Sequence, residues 1–434
     1  MQAPGIEFKD KEQVKRFQEK KLGELLDYLL AFSPFYKELF EKNKIQRSDI
    51  NTLEDLTKVP VSSKYDLYSR NFDFLCVPKN KIVDYVTTSG TLGDPVTFAL
   101  TDGDLDRLGY NEAISFLCAE CGPDDIFQLT TTIDRRFMAG LAYFLGARKL
   151  GAGLVRVGSG IPELQWDTIQ RINPTVLVAV PSFIIKLIEY AEANNIDYKS
   201  SSVQKAICIG ESVRNPDFSL NTLGQKIQDK WGIKLFSTYA STEMVTAFTE
   251  CGASQGGHHH PELIIVEFLD DNNVLVKEGE PGEVTITTLG VEGMPLLRFK
   301  TGDICTANYE KCECGRTSMR LGPILGRKNQ MIKYKGTSLY PPALYDILDT
   351  MPMIKNYIVE VFTNEIGTDE ILIRIGCFEV LENLEKEIKD HFRAKLRVAP
   401  MIRFEDPKEI QSLQFPEISR KAIKFFDKRN TVLS

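Results

Sequence analysis

Apolar residues are spaced in two different ways along this chain, and the change of spacing marks its organisation. Residues 11 to 42 follow a helical period, with Phe17, Leu22, Leu25, Leu26, Tyr28 and Leu29 on one side of a charged segment. That spacing predicts an amphipathic helix. Further on, short runs that are apolar at every position take over. "PTVLVAV" (Pro174–Val180) predicts a strand buried on both faces, and the helical "SFIIKLIEYAEANN" follows it. "KAICIGES" (Lys205–Ser212) and, after another helical stretch, "KLFSTYAS" (Lys234–Ser241) repeat the alternation. Apolar strands alternating with helices predict a parallel sheet covered on both faces. Ligands on such sheets sit beyond the carboxyl ends of the strands, where "IGES" and "YASTEM" begin.

After Glu262 the pattern changes. "ELIIVEFLD", "GEVTITTLG" and "MPLLRFKTGD" read as strands separated by turns, a β subdomain. A break near Gly326 precedes a smaller unit with strands "NYIVEVFT" and "EILIRIGCF" and the charged helix "LENLEKEIKDHFRAKL". The expected fold is therefore α/β. A large N-terminal domain, residues 1–326, carries mainly parallel sheets flanked by helices plus the β subdomain. A small α+β C-terminal domain spans 327–434. No internal repeat or low-complexity tract is present.

Composition narrows the function classes. The 434 residues exceed one ordinary core. With 53 basic and 60 acidic residues the net charge is −7, so no broad positive surface awaits nucleic acid or an anionic membrane. An anionic substrate has to be drawn by a local site. "MQAPGIEFKDKEQ" lacks the basic and apolar regions of a signal peptide, and no apolar run approaches the roughly 18 residues of a membrane span. Nine scattered cysteines, an odd number, argue for reduced thiols and a cytoplasmic location. The amphipathic N-terminal helix is compatible with a homodimer.

One stretch offers chemistry. "VTTSGTLGDP" (Val86–Pro95) sets two glycines among Thr87, Thr88, Ser89 and Thr91. Such a segment serves as a plain hairpin turn or, with its unhindered backbone N–H groups and hydroxyls, as a cradle for polyphosphate. It is not a Walker A loop, because no Gly-Lys-Ser/Thr follows at the required distance. "YASTE" at 239–243, "RFKTGD" at 298–303, "GRKNQMIKYKG" at 326–336 and "SRKAIKFFDKR" near the end follow it in order. The ordered set resembles the adenylate-forming superfamily of acyl-CoA synthetases, luciferases and peptide-synthetase adenylation domains. Together with "VPVSSKYDL" and the closing "RKAIKFFDKR", it is most similar to the phenylacetate–CoA ligases over nearly the whole chain.

The resemblance implies ATP- and Mg²⁺-dependent activation of an aryl acid as its adenylate, then transfer to coenzyme A. Ser89, Gly90, Thr91 and Gly93 would cradle the phosphates. Thr242 would bond phosphate and Glu243 would hold Mg²⁺. Tyr239, followed by Ala240 and Ser241, would lie against the adenine, with Gly210 and Glu211 at its edge. Asp303 would accept the ribose hydroxyls, Arg327 would reach the nucleotide, and Lys421 would supply positive charge for adenylation. A "TGD" aspartate is otherwise an ordinary turn former, and a tail lysine is ordinarily solvated. This chain departs from the family pattern at Leu92, Asp94, Ala240, Arg420 and Asn329, the last at the hinge position. Leu92 lacks the usual hydroxyl, and Asp94 is expected to face solvent. Two alternatives are an adenylating enzyme that delivers to a carrier protein or another cofactor, and a non-catalytic nucleotide-binding module.

A second constellation involves thiols. "KCECGR" holds Cys312 and Cys314, and "TECGASQGGHHHPE" holds Cys251 with His258, His259 and His260. Three thiols and one imidazole would complete a closed structural zinc site within about 245–320; the other reading is buried free thiols beside solvent-facing histidines. A Cys-plus-Gly-x-His element in some members of the resembled family aligns with Gly256 and His258, which selects His258 over His260.

Overall fold

A computed structural model describes residues 1–88, 96–334, 337–364, 368–378, 382–415 and 422–429. The chain forms two compact units, Met1–Ile324 and Leu325–Ser434. The larger has an α/β sheet of six strands in the order Gly153–Arg156, Ile126–Leu129, Val176–Ala179, Lys205–Ile209, Lys234–Ser241, Thr246–Thr249. The first five are parallel, and Thr246–Thr249 runs antiparallel to its neighbour. Strand side chains alternate between faces, and here both faces are apolar. Val176, Val178, Ile207, Ile209 and Phe236 join a core with Phe116, Phe127 and Tyr143. Leu177, Ala179, Ala206, Cys208 and Leu235 join another with Trp166, Ile184, Ile188 and Trp231. Helices on both sides account for the unbroken apolar runs.

A three-strand antiparallel meander, Ile264–Leu269, Gly282–Thr288 and Phe299–Cys305, forms the β subdomain. One expectation changes in detail. The long N-terminal helix is two, Lys11–Phe32 and Pro34–Lys42. Pro34 lacks the N–H that a continuous helix needs, and Ser33 caps the second by accepting the Tyr36 N–H. Leu22, Leu25, Leu26 and Leu29 are buried in a core shared with meander residues such as Ile264, Val284 and Phe299. That face is covered within the chain and gives no argument for a dimer. The "TGD" segment, read as the end of a strand, forms a bulge inside it. Glu283 pairs with Ile304 and Thr285 with Lys300, so Thr301, Gly302 and Asp303 oppose Val284 alone. Gly302, at φ +81°, supplies the left-handed residue the bulge needs.

The smaller unit is α+β. Strands Asn356–Thr363 and Asp369–Gly376 pair antiparallel; Met401–Glu405 and Phe425–Asp427 add in parallel at the two edges. Its core joins Val359, Val361, Ile371 and Ile373 of the sheet to Leu344 and Ile347 of Pro341–Asp349 and to Ile388 and Phe392 of Leu384–Leu396. Among the described residues, no helix is long and apolar enough to cross a membrane.

Arg107, on helix Asp102–Cys118, ties the sheet region of the larger unit to its β subdomain. It donates to the carbonyls of Leu289 at 2.7 Å, Val245 at 2.6 Å and Leu263 at 2.6 Å. Burial pushes the guanidinium down to about 10, still charged at neutral pH. Arg107→Met keeps the bulk but bares three buried carbonyls, each costing about 1–3 kcal/mol. We expect a clearly lower urea midpoint, with a loss of about 3 kcal/mol or more; a midpoint equal to that of the parent protein would contradict this account.

Candidate functional site

The carboxyl ends of the parallel strands gather the nucleotide-site candidates of the larger unit. Gly210 follows Lys205–Ile209 at φ +74°, where a side chain would be strained. The Glu211 carboxylate accepts from the Ser182 N–H at 2.9 Å and the Ser182 hydroxyl at 3.0 Å. It therefore caps helix Pro181–Ala193, a use of its side chain that the sequence did not suggest. Tyr239, Ala240 and Ser241 end the strand Lys234–Ser241. Thr242 and Glu243 lie in the turn to Thr246–Thr249 and are partly exposed. This turn is strained: Val245, β-branched, sits at φ +47°. Arg107 holds its carbonyl.

Tyr239 joins two parts of the larger unit that are distant in sequence. Its ring stacks on Phe248 at 6.0 Å. Its hydroxyl donates to Asp303 Oδ2 at 2.8 Å. Burial first, then the neighbouring Asp303 charge, pushes that hydroxyl well above the usual phenol range, so it stays protonated as a donor. The bulge at Gly302 brings Asp303 up to it, and Asp303 N–H donates to Thr301 Oγ1 at 3.1 Å. The Ser241 hydroxyl is buried and has no hydrogen-bond partner among the described residues. A buried polar atom without a partner is costly, and this one lies two residues from Glu243.

Part of the candidate site falls outside the described residues: Ser89, Gly90, Thr91, Leu92, Gly93 and Asp94 in the glycine loop, and Arg420 with Lys421 near the end. The flanks of the loop are described. Ile82–Thr87 pairs antiparallel with Thr97–Thr101. Thr88 and Val96 close the ladder: the Thr88 N–H donates to the Val96 carbonyl at 3.0 Å, and the Val96 N–H to Thr88 Oγ1 at 3.1 Å. Arg327 lies in the smaller unit.

The thiol candidates converge. Cys251, His258, Cys312 and Cys314 place one donor atom each within 4.8 Å of one another. Cys251 Sγ is 3.5 Å from Cys312 Sγ, and Cys314 Sγ is 3.4 Å from His258 Nε2. Ligands of a tetrahedral zinc ion stand about 3.5–3.8 Å apart, while a disulfide is near 2.05 Å. The donor set fits zinc. "CECGR" is a tight turn, with Gly315 at φ +92° and its N–H on the Cys312 carbonyl at 2.9 Å. His258 pairs with Arg320 in a small antiparallel sheet. Burial pushes the Cys314 thiol up, but hydrogen bonds to His258 and Arg316 outweigh it and hold it at about 5, as a thiolate. The neighbouring histidines have other tasks. His259 stacks on Phe248 at 6.2 Å, and the His260 ring meets Glu7 Oε1 at 2.5 Å.

Glu7 was not legible in the sequence. It is fully buried in the first helical turn, Gly5–Phe8. Arg316 Nε donates to Glu7 Oε2 at 2.6 Å, and Arg316 Nη1 to Cys314 Sγ at 3.5 Å. The partners are 309 residues apart, and no local pattern links them. Arg107, a lone basic residue in a helix, gave no signal either.

Residues 28–293 match the family described as AMP-binding enzyme. The chain is 29% identical to the phenylacetate-coenzyme A ligase of Thermus thermophilus, over 89% of this chain and 86% of that protein. It is 25% identical to the phenylacetate-coenzyme A ligase of Escherichia coli, over 98% of each. Its fold is similar to that of a 2-hydroxyisobutyryl-CoA ligase in the postadenylation state, with a TM-score of 0.82 and 24% identity, covering 96% of this chain and 90% of that one. With more than half of its length matched, the chain belongs to the AMP-binding enzyme family.

Proposed function

We propose that this enzyme ligates phenylacetate, or a closely similar aryl acid, to coenzyme A in two steps. A carboxylate oxygen attacks the α-phosphorus of ATP; the bond to the β-phosphate oxygen breaks, and pyrophosphate leaves with that electron pair. The sulfur of coenzyme A then attacks the acyl carbon, AMP departs, and the thiol proton is released. Charge accumulates in the first step, so the site needs cations and donors rather than an enzyme nucleophile. The observation that carries this reading is the Tyr239–Asp303 hydrogen bond at the carboxyl edge of the sheet, beside a Ser241 hydroxyl that has no partner among the described residues.

Tyr239 would face the adenine, with Gly210 and Glu211 at its edge, and Asp303 would accept ribose hydroxyls. Thr242, Ser89, Gly90, Thr91 and Gly93 would bond phosphate oxygens. Glu243 would hold Mg²⁺, which supplies charge neutralisation to those oxygens when bound. Arg327 would reach the nucleotide and Lys421 would supply the charge for adenylation. The small domain, from about residue 327, would turn about Asn329 between the two steps and carry Lys421 away from the path of the thiol. The thiol site, of zinc and Cys251, His258, Cys312 and Cys314, would be structural, since its four protein ligands leave no open position. Free, mostly buried cysteines suit a reducing compartment, the cytoplasm.

Acid-dependent pyrophosphate release, with the thioester trapped as product, should be greatest with phenylacetate among aryl and aliphatic acids. Lys421→Ala should nearly abolish that release yet still convert supplied acyl-adenylate and coenzyme A to thioester, because a group acting in one transition state affects only that step. Lys424 is the control: its ammonium lies 4.8 Å over the Tyr357 ring and donates to the Tyr357 hydroxyl at 3.1 Å. A selective adenylation defect in Lys424→Ala alone would move the role to that lysine.

For the ribose contact, Asp303→Ala should raise the KM for ATP and lower turnover, at about 1.5–3 kcal/mol per charge-assisted bond lost. Normal kinetics would place the nucleotide elsewhere. Elemental analysis should find one zinc per chain, absent from Cys312→Ser/Cys314→Ser. That variant should also melt at lower temperature, because metal-binding free energy is partly folding free energy. Metal content unaffected by the double substitution would rule these ligands out.

A further inference from the structure

Arg429 sits just past the last described strand of the smaller unit. Strand Phe425–Asp427 is registered on Asn356–Thr363, and the Lys428 N–H donates to the Val361 carbonyl at 2.7 Å. The backbone leading to Arg429 is thus fixed to the sheet. Its guanidinium then reaches about a hundred residues back, to the segment just after Arg327.

All five guanidinium N–H donors can be assigned. Nε donates to Asp427 Oδ1 at 2.9 Å, and Nη2 to Asp427 Oδ2 at 2.5 Å. Nη2 also donates to the Asn329 carbonyl at 2.9 Å. Nη1 donates to the Met331 carbonyl at 2.7 Å and to Asp369 Oδ2 at 3.2 Å. Asp369 Oδ2 in turn accepts the Lys333 N–H at 2.8 Å. Three backbone groups of residues 329–333 are therefore tied to the sheet through one planar cation and two carboxylates.

The geometry points to Arg429 as a positioning residue that ends the hinge of this enzyme: it makes the peptide planes after Asn329 rigid with the smaller unit, so that turning is confined to Asn329 and the residues before it. The covalent geometry gives the reason. The carbonyl oxygen of Asn329 and the nitrogen of residue 330 belong to one planar peptide. Rotation about φ or ψ of Asn329 moves that plane with everything that follows. A latch on the Asn329 carbonyl from within the following unit therefore survives the rotation and stiffens the lever. A looser segment would spread the smaller unit over many orientations, few of them productive for either step. This inference rests on the two-step reading and the turn about Asn329 proposed above.

The contact has a chemical signature. A lysine at 429 keeps the charge but carries its donors on one nitrogen and cannot span five acceptor atoms. Arg429→Ala and Arg429→Lys should behave alike.

Hydrogen–deuterium exchange of the full-length enzyme and the two half-reactions, measured separately, test the latch. In both variants we expect faster exchange confined to residues 328–334, with strands Asn356–Thr363 and Asp369–Gly376 as protected as in the parent. Pyrophosphate release and conversion of supplied adenylate to thioester should each slow by about tenfold to a hundredfold, the scale of small misplacements. The KM for ATP should stay unchanged. Unchanged exchange in 328–334, or full rescue by lysine, would overturn the latch. Faster exchange with both half-reactions at parental rates would overturn its role in positioning. Absence of acid-dependent pyrophosphate release in the parent enzyme would instead overturn the proposed function, leaving the exchange result to judge the latch by itself.

Discussion

The placement of the candidate active site in the larger unit depends on one buried cation. Arg107 is held by the carbonyls at positions 245, 263 and 289. Those carbonyls come from the turn after Glu243, the approach to the β meander and the end of its second strand. A guanidinium offers five donors in one plane, so it can fasten three chain segments at once. It also stabilises a turn that local preference opposes, because a valine with positive φ is unfavourable by itself. Strain at Val245 and burial of the Arg107 charge are both unfavourable, and the hydrogen bond from the guanidinium to the Val245 carbonyl helps to offset them. The turn so held carries Thr242 and Glu243.

The same unit is cross-linked again at Tyr239 and Asp303. Tyr239 ends a parallel strand, and Asp303 rides on a glycine bulge of the meander. Their hydrogen bond depends on the phenol remaining protonated, which burial ensures. Arg298, at the start of the same strand segment, is buried against Glu267 at 3.0 Å and donates to the Val59 carbonyl at 2.8 Å. "RFKTGD" therefore contains a structural cation and a candidate nucleotide ligand five residues apart. Only the second was legible, because a buried arginine and a catalytic one look alike in a sequence.

What the sequence revealed and what it hid have a common physical cause. Strands such as Val176–Ala179 and Lys205–Ile209 were legible because burial on both faces leaves an unbroken apolar run. The stretch from Asp102 to Ile172 holds three helices and two strands, yet it was not resolved into elements. There, apolar residues mix with buried polar ones, including Asn111, Glu112, Gln128 and Gln165, so neither period dominates. Glu112 is buried enough that its carboxyl is pushed up to about 8; no composition rule announces such a residue. The N-terminal helix was read through Ser33-Pro34 because its apolar spacing continues across the break. The metal candidates were legible as residue types and the ordered motifs through resemblance, whereas Glu7, Arg107 and Arg429 act over long sequence separations and carry no local mark.

The two units are secured by different means. The larger unit uses buried charges to join segments far apart: Glu7 to Arg316, Glu267 to Arg298, and Arg107 to three carbonyls. Removing one partner of such a group leaves the other buried and uncompensated, which makes partial loosening costly and the arrangement close to all-or-none. The thiol cluster adds a further fixed point, reached from the chain's first helical turn through Glu7 and Arg316. The smaller unit places its strongest networks at the sheet surface instead, with Arg374 on Glu405 and Glu360, and Arg429 on Asp427 and Asp369. Those pairs are partly solvated and individually weaker, but they lie along a sheet whose four strands are already registered. The function proposed above, with substrates on the larger unit and a turning smaller unit, calls for this division. The first must keep distant residues at fixed separations, and the second needs only to move as one body.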